Sequence, residues 1–216
     1  MSKSLLLLAL CALLASARFL AAEESKDGFA PLFNGKNLDG WKVKTDKPVD
    51  KDAWSVGEQM LIARPGSGWL STTREYGDFV LRLEWRIPEN GNSGVFVRVP
   101  ELKAGEQPHV RGIEIQVLDD RGSQYAGKLK PWQYSGSIYG AVAAKGSKFR
   151  GKGEWNTFEI TCRGEQLAVL MNGQKVAEAD VSQDKTLQDR PRKGFIGLQN
   201  HGSGVEYRNI QIKVLE

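Results

Sequence analysis

Apolar and polar residues alternate with a period of two along most of this chain. In "DFVLRLEWRI", Phe79, Leu81, Leu83, Trp85 and Ile87 share one phase, and Arg82, Glu84 and Arg86 share the other. "SGVFVRV" sets Val95, Val97 and Val99 against Phe96 and Arg98, and "GIEIQVL" sets Ile113, Ile115 and Val117 against Glu114 and Gln116. Further short runs, "AWSVG", "QMLIA", "GWLST", "GSIYGAVA", "WNTFEITCRG", "QLAVLMNG", "KGFIGLQN" and "VEYRNIQIKVL", are punctuated by Gly, Asn, Asp and Pro. This spacing predicts an all-β, antiparallel sandwich or jelly roll without a helix of three turns. Asn172-Gly173, between two alternating runs, is the preferred dipeptide of a type I′ hairpin. "PELKAGEQP" (residues 100–108) and "GSKFRGKGE" from Gly146 break the alternation and read as loops. "FNGKNLDGW" predicts a turn that packs Phe33 and Trp41 against the sandwich, with Lys36 exposed, and Trp155 is expected in the core.

The first 22 residues depart from this pattern. Lys3 precedes the apolar run "LLLLALCALLASA", and small residues then lead to "EESKDG", the plan of a signal peptide. The run is too short for a good membrane span. Cleavage fits after Ala17 or after Ala22; with Ala22 the chain divides into a leader (1–22), a short extension (23–28) and one domain (29–216). The expectation is an exported protein, periplasmic or extracellular, with no membrane span once the leader is removed. Cys11 leaves with the leader, so Cys162 has no internal partner and is expected to be a buried small hydrophobe.

A chain of 216 residues that is 40% hydrophobic and contains six Trp can bury a single good core. Its formal charge is +4. Loss of Lys3 and Arg18 with the leader leaves 28 basic residues against 26 acidic ones, and this mild balance argues against nucleic acid as the main partner.

Charged residues on the outer phase of a sandwich strand usually face solvent. Here Phe96 interrupts the polar phase beside Arg98, and Glu114 is accompanied by the amide of Gln116. Trp69, Trp132 and Tyr139 lie in Gly-flanked segments suited to cleft walls. Aromatic rings match the apolar faces of pyranoses, while carboxylate, amide and guanidinium groups match their hydroxyls, so the combination points to a carbohydrate cleft. His109 follows Pro108 at a loop end, and His201 lies among turn residues in "GLQNHGSG"; both are placed where a titrating side chain can be presented. Asn92-Ser93 in "ENGNSG" can tie a Gly-rich bend or touch sugar hydroxyls.

"LFNGKNLDGW", "YGDFVLRLEWRIPENGNSGVFVR", "GIEIQVLDD", "GSIYG", "GEWNTFEI", "NG" and "GFIGLQNHGSGVEYRNIQIK", in this order, resemble the 3-keto-disaccharide hydrolase domain family from Phe29 to Glu216. The resemblance implies a concanavalin A-like, glucanase-type jelly roll, export, and an oxidised di- or oligosaccharide or other glycoside bearing a C3 ketone. Such a ketone acidifies the C2 proton; a base can take it, the enolate expels the C1 oxygen, and water adds afterwards. From chemistry and strand phase, Glu114 or a histidine is the candidate base, Arg98 the enolate stabiliser, and Glu84 or His201 the second acid-base group, with Gln116 and Gln199 orienting hydroxyls. A divalent metal held by Glu84, Glu114 and a histidine is the alternative electrophile, although the spacing carries no strong metal signature. Ordinary retaining hydrolysis needs two carboxylates about 5–5.5 Å apart, and Gln116 occupies the position in phase with Glu114. A noncatalytic, lectin-like carbohydrate-binding module is the competing class.

Overall fold

The structure, a computed structural model, describes residues 27–216 apart from 46, 49, 51, 67 and 147; the predicted leader lies outside the described residues. The alternating runs form thirteen strands among the described residues. They are β1 (Ala30–Pro31), β2 (Trp41–Lys44), β3 (Trp54–Gly57), β4 (Met60–Ala63), β5 (Trp69–Thr72), β6 (Phe79–Arg86) and β7 (Asn92–Val99), then β8 (Ile113–Leu118), β9 (Asn156–Arg163), β10 (Gln166–Met171), β11 (Gln174–Asp180), β12 (Phe195–Leu198) and β13 (Glu206–Val214). A single turn of helix, α1 (Pro108–Arg111), precedes β8. One sheet runs β11-β10-β9-β6-β13-β4-β3, with β1 added along β13, and the other runs β2-β5-β12-β7-β8. All the strand pairings are antiparallel, so the molecule is the jelly-roll sandwich that the pattern predicts. Among the described residues no helix is long and apolar enough to cross a membrane.

The core lies where the inward phases of the two sheets meet. Phe79, Leu81, Leu83 and Trp85 of β6 are fully buried, as are Val95 and Val97 of β7 and Ile113, Ile115 and Val117 of β8. Each such side chain contributes about 1.5–3 kcal/mol on leaving water. Phe33 and Trp41 join this core, and Lys36 is exposed. Asn172 and Gly173 both adopt positive φ (51° and 80°), as a type I′ turn requires, and join β10 to β11. Cys162 is buried, and desolvation pushes its thiol up to about 12, so it is inert.

Two expected elements differ. "GSIYGAVA" does not make a regular strand: Ile138 bridges Ile115 on one side and Val142 on the other, and the segment lies along the free edge of β8. Backbone bonds from Gly136 N to Gln116 O (3.0 Å) and from Tyr139 N to Glu114 O (2.9 Å) fix it there. Trp155 is half-buried on the outer face of the larger sheet, where the Arg208 guanidinium lies 3.9 Å and that of Arg86 4.7 Å from its ring centroid. Its neighbours are the outward arginines of β6 and β13, which cover the ring without burying it.

A bulge in β7 overturns one larger expectation. Against β12, Gly197 pairs with Phe96 but Phe195 pairs with Val99, so β7 carries one extra residue, and Arg98 takes φ 53°. Beyond this point the phase inverts. Val99 joins Phe96, Trp69 and Phe195 in a small apolar cluster, while Arg98 is fully buried and turned from the phase of Phe96. Its guanidinium donates to Gly77 O (3.1 Å), Gly164 O (2.9 Å) and the Asp78 carboxylate (2.9 Å). Arg98 is therefore a tie between strand ends, not an enolate stabiliser.

Loss of a buried, fully bonded guanidinium strands its partners. Arg98→Met is expected to lower the unfolding free energy by about 3 kcal/mol in urea denaturation; an unchanged midpoint would show that the tie holds nothing together.

Candidate active site

Glu114 and Gln116 occupy one phase of β8, and the antiparallel register sets them opposite Phe96 and Gly94 of β7. The absence of a side chain at Gly94 creates the seat for Glu114: a β-carbon there would overlap the Glu114 carboxyl group. Gly94 does not have positive φ, so the glycine is required here by close approach and not by backbone conformation. Glu114 is 4% exposed. Its carboxyl accepts no side-chain hydrogen bond among the described residues, and burial raises its pKa from 4.5 to about 8. Gln116 beside it donates to Asn92 Oδ1 (3.1 Å).

These residues floor a cavity of about 190 Å3, enough for one sugar ring, that opens into a wider cleft of about 960 Å3. His109, Gln199 and His201 line both. The far wall is the segment held along β8, where Tyr139 meets Trp132 edge-on (5.0 Å between centroids) and His109 edge-on (6.2 Å). Trp132 thus supports Tyr139 from behind instead of facing the cavity itself. Gln133 donates to the Tyr139 hydroxyl (3.3 Å). His109 is half-buried on α1, and desolvation, helped by the nearby Arg190 charge, lowers its pKa, so the imidazole is neutral around neutrality.

The opposite wall is the turn between β12 and β13. Gln199 donates its backbone N–H to Gly94 O (2.8 Å), while its side-chain oxygen is buried with no partner among the described residues. Asn200 anchors the turn to Ala53 O and Arg64 O (2.9 Å each) and accepts from Gly202 N (2.8 Å). Ser203 exchanges bonds with the Asn92 backbone. His201, exposed at the cleft mouth, is thus carried on a turn fastened at both ends.

The structure brings together Glu114, Gln116, Phe96, Trp69, Tyr139, Gln199, His109 and His201, which line the two connected spaces. It does not bring Glu84. That residue lies on the outer face of the larger sheet, where Arg208 Nε and Asn209 Nδ2 each donate to its carboxylate at 2.8 Å. The sequence phase of β6 was right, but polar phases of two different sheets point away from each other. The ligand set of Glu84, Glu114 and a histidine is consequently not assembled, and among the described residues no three His, Cys, Asp or Glu side chains gather as metal ligands. Asp119 does not stand in as a second carboxylate: it accepts from Asn90 N (2.9 Å) in the bend before β7.

Asn92, one of the two residues read as tying a bend or touching sugar hydroxyls, lines the cavity, and so do Tyr125 and Gln133, which were not anticipated. Asn92 was legible, being in phase with Gly94 and Phe96 once β7 is started one residue earlier. Tyr125 was not, because its place depends on Asn90, whose carbonyl accepts from the Tyr125 hydroxyl (3.2 Å) and whose side chain accepts from Gln124 N (3.0 Å).

Residues 28–213 match the 3-keto-alpha-glucoside-1,2-lyase-like domain family. The chain is 28% identical to the 3-keto-disaccharide hydrolase of Bacteroides thetaiotaomicron, over 88% of this chain and 79% of that protein. Two crystal structures from Parabacteroides distasonis, each described as a candidate glycosyl hydrolase, share its fold. One is 25% identical with a TM-score of 0.79, covering 88% of this chain and 95% of that one; the other is 32% identical with a TM-score of 0.74, covering 87% and 99%. The β-glucanase of Bacillus licheniformis is similar in fold alone, at 14% identity and a TM-score of 0.55 over 87% of this chain and 97% of that one.

The raised pKa of Glu114 ties stability to pH. Its folded state holds the proton more tightly than the unfolded chain, so stability is fully present below about 4.5 and is lost as pH rises toward about 8. Glu114→Gln, which keeps the shape without the charge, is expected to match the parent at pH 5 and exceed it at pH 8.5 by on the order of 4 kcal/mol in urea denaturation. Parallel pH profiles for the two proteins would show that the carboxyl is not desolvated.

Proposed function

The chain belongs to the 3-keto-alpha-glucoside-1,2-lyase-like domain family, and on that footing we propose that it is an exported carbohydrate-active enzyme that cleaves 3-keto-glycosides by elimination and hydration. The observation that carries this reading is the solitary carboxyl group. Glu114 is the one carboxylate lining the inner cavity among the described residues, whereas direct glycoside hydrolysis uses two. A lone base of raised pKa suits abstraction of a proton acidified by a neighbouring ketone, because basicity near the working pH favours transfer.

In this mechanism Glu114 takes the C2 proton of the ring bound in the inner cavity, and the charge delocalises onto the C3 oxygen. The neutral His109 can donate an N–H bond to that developing enolate, a task that burial of Arg98 removes from the guanidinium. The enolate then breaks the C1–O bond, and His201, at the junction with the wider cleft, gives its proton to the departing oxygen. Water adds to the resulting enone at C1, with a proton returned to C2. The unpartnered Gln199 oxygen accepts a sugar hydroxyl, which fixes the ring over Glu114. Tyr139, braced by Trp132, offers its ring to an apolar sugar face.

Incubation of the purified protein with a 3-keto-glucoside and with its unoxidised parent tests the reaction. The keto substrate alone is expected to be cleaved; cleavage of both at similar rates would favour ordinary hydrolysis, and binding without turnover would favour a lectin-like module. Glu114→Gln should lower kcat by at least about a thousandfold, and kcat/KM of the parent should rise with pH through about 8, where the base loses its proton. Export rests on residues 1–22; N-terminal sequencing of protein recovered outside the cytoplasm is expected to begin at Glu23, and recovery of an intact Met1 start would refute it.

A further inference from the structure

The wider cleft has a chemistry of its own. It is several times larger than the cavity above Glu114 and joins it through His109, Gln199 and His201. If the oxidised ring occupies the inner cavity, the wider space receives what leaves from C1. Its floor is apolar and aromatic: Trp69 crosses Gly197, where a β-carbon would collide with the indole, and meets Phe96 edge-on at 5.7 Å. A ring entering the cleft meets Trp69 beside the Lys44 ammonium, which lies 5.8 Å from the indole centroid.

The rim is cationic. Lys42, Lys44, Lys47 and Lys103 line the cleft, against Glu101 and Glu106. Lys44 is held in place, with its ammonium 3.8 Å from the Phe195 ring centroid and 2.9 Å from the Glu101 carboxylate, and Lys42 lies over the same ring at 5.7 Å. Glu106 is turned to Arg111 (3.4 Å). Lys47 and Lys103 form no ion pair among the described residues, while Lys44 first and Lys42 second hold the Glu101 carboxyl below its usual range. An aromatic floor beneath four ammonium groups, set against two carboxylates of which one is turned to Arg111, matches a planar ligand that carries negative charge on the edge facing solvent.

We propose that the wider cleft is a leaving-group subsite selective for aromatic aglycones bearing an anionic substituent. The inference rests on the reading of the inner cavity as the reaction centre. Two 3-keto-glucosides separate substituent charge from leaving-group ability: one of 4-methylphenol and one of 4-hydroxyphenylacetate, whose methylene insulates the phenol oxygen from the carboxylate.

The expected result is a kcat/KM on the order of fivefold higher for the carboxylate substrate at low salt. The ratio should fall to about one in 0.5 M NaCl and in the Lys42→Met/Lys103→Met variant, since both remove the exposed charge contacts. Calorimetric titration of the free phenols reads the subsite without catalysis: 4-hydroxyphenylacetate should bind more tightly than 4-methylphenol, and the difference should vanish in the double variant. Equal affinities, or a preference that persists in that variant, would overturn the proposal. If neither glycoside is cleaved while the lysine-dependent binding difference holds, the subsite stands and the proposed reaction falls.

Discussion

The antiparallel register of β7 against β8 sets Gly94 opposite Gln116 and Phe96 opposite Glu114, and the missing side chain at Gly94 lets a carboxyl group fold down onto the sheet. The same contact that seats Glu114 takes it out of water. No neighbouring cation offsets that cost, so the group holds its proton and has a pKa of about 8. The cavity and the placement of the two histidines are arranged around that one desolvated group.

The rest of the sandwich makes the arrangement rigid. The inward phase of β7 and β8 is locked into the core, so their outward residues cannot slip register without exposing Val95, Ile113 and Ile115. Loops reach the cavity only through specific anchors: Asn90 for the Tyr125 segment, the edge of β8 for Tyr139, and Asn200 with Ser203 for the His201 turn. The bulge at Arg98 divides β7 into two duties, with Asn92, Gly94 and Phe96 serving the cleft and the guanidinium beyond them holding Asp78, Gly77 and Gly164 together.

A jelly-roll sandwich can serve hydrolases and carbohydrate-binding modules alike. A concave sheet that holds a sugar suits either use. Among the described residues, this chain carries a single carboxylate lining the inner cavity with its companion position filled by an amide, two histidines at the junction of a narrow and a wide space, and a buried amide oxygen with no donor.

Strand phase was readable from the sequence because the core imposes it residue by residue. The period of two gave the sandwich, the inward faces of β6, β7 and β8, the pairing of Glu114 with Gln116, and the lack of a second carboxylate in phase. The family resemblance added the order of motifs, and the Asn172-Gly173 hairpin followed from backbone sterics alone. Phase says which side of its own sheet a residue occupies, but not which sheet it belongs to or where an extra residue enters. Glu84 therefore shared a pattern with Glu114 yet faces the other side of the molecule, and Arg98 left the polar phase at a bulge that no local signal marked. Those placements, and the gathering of His109, Tyr139, Gln199 and His201 from distant loops, depend on contacts between residues far apart in the chain, which only the folded structure brings together.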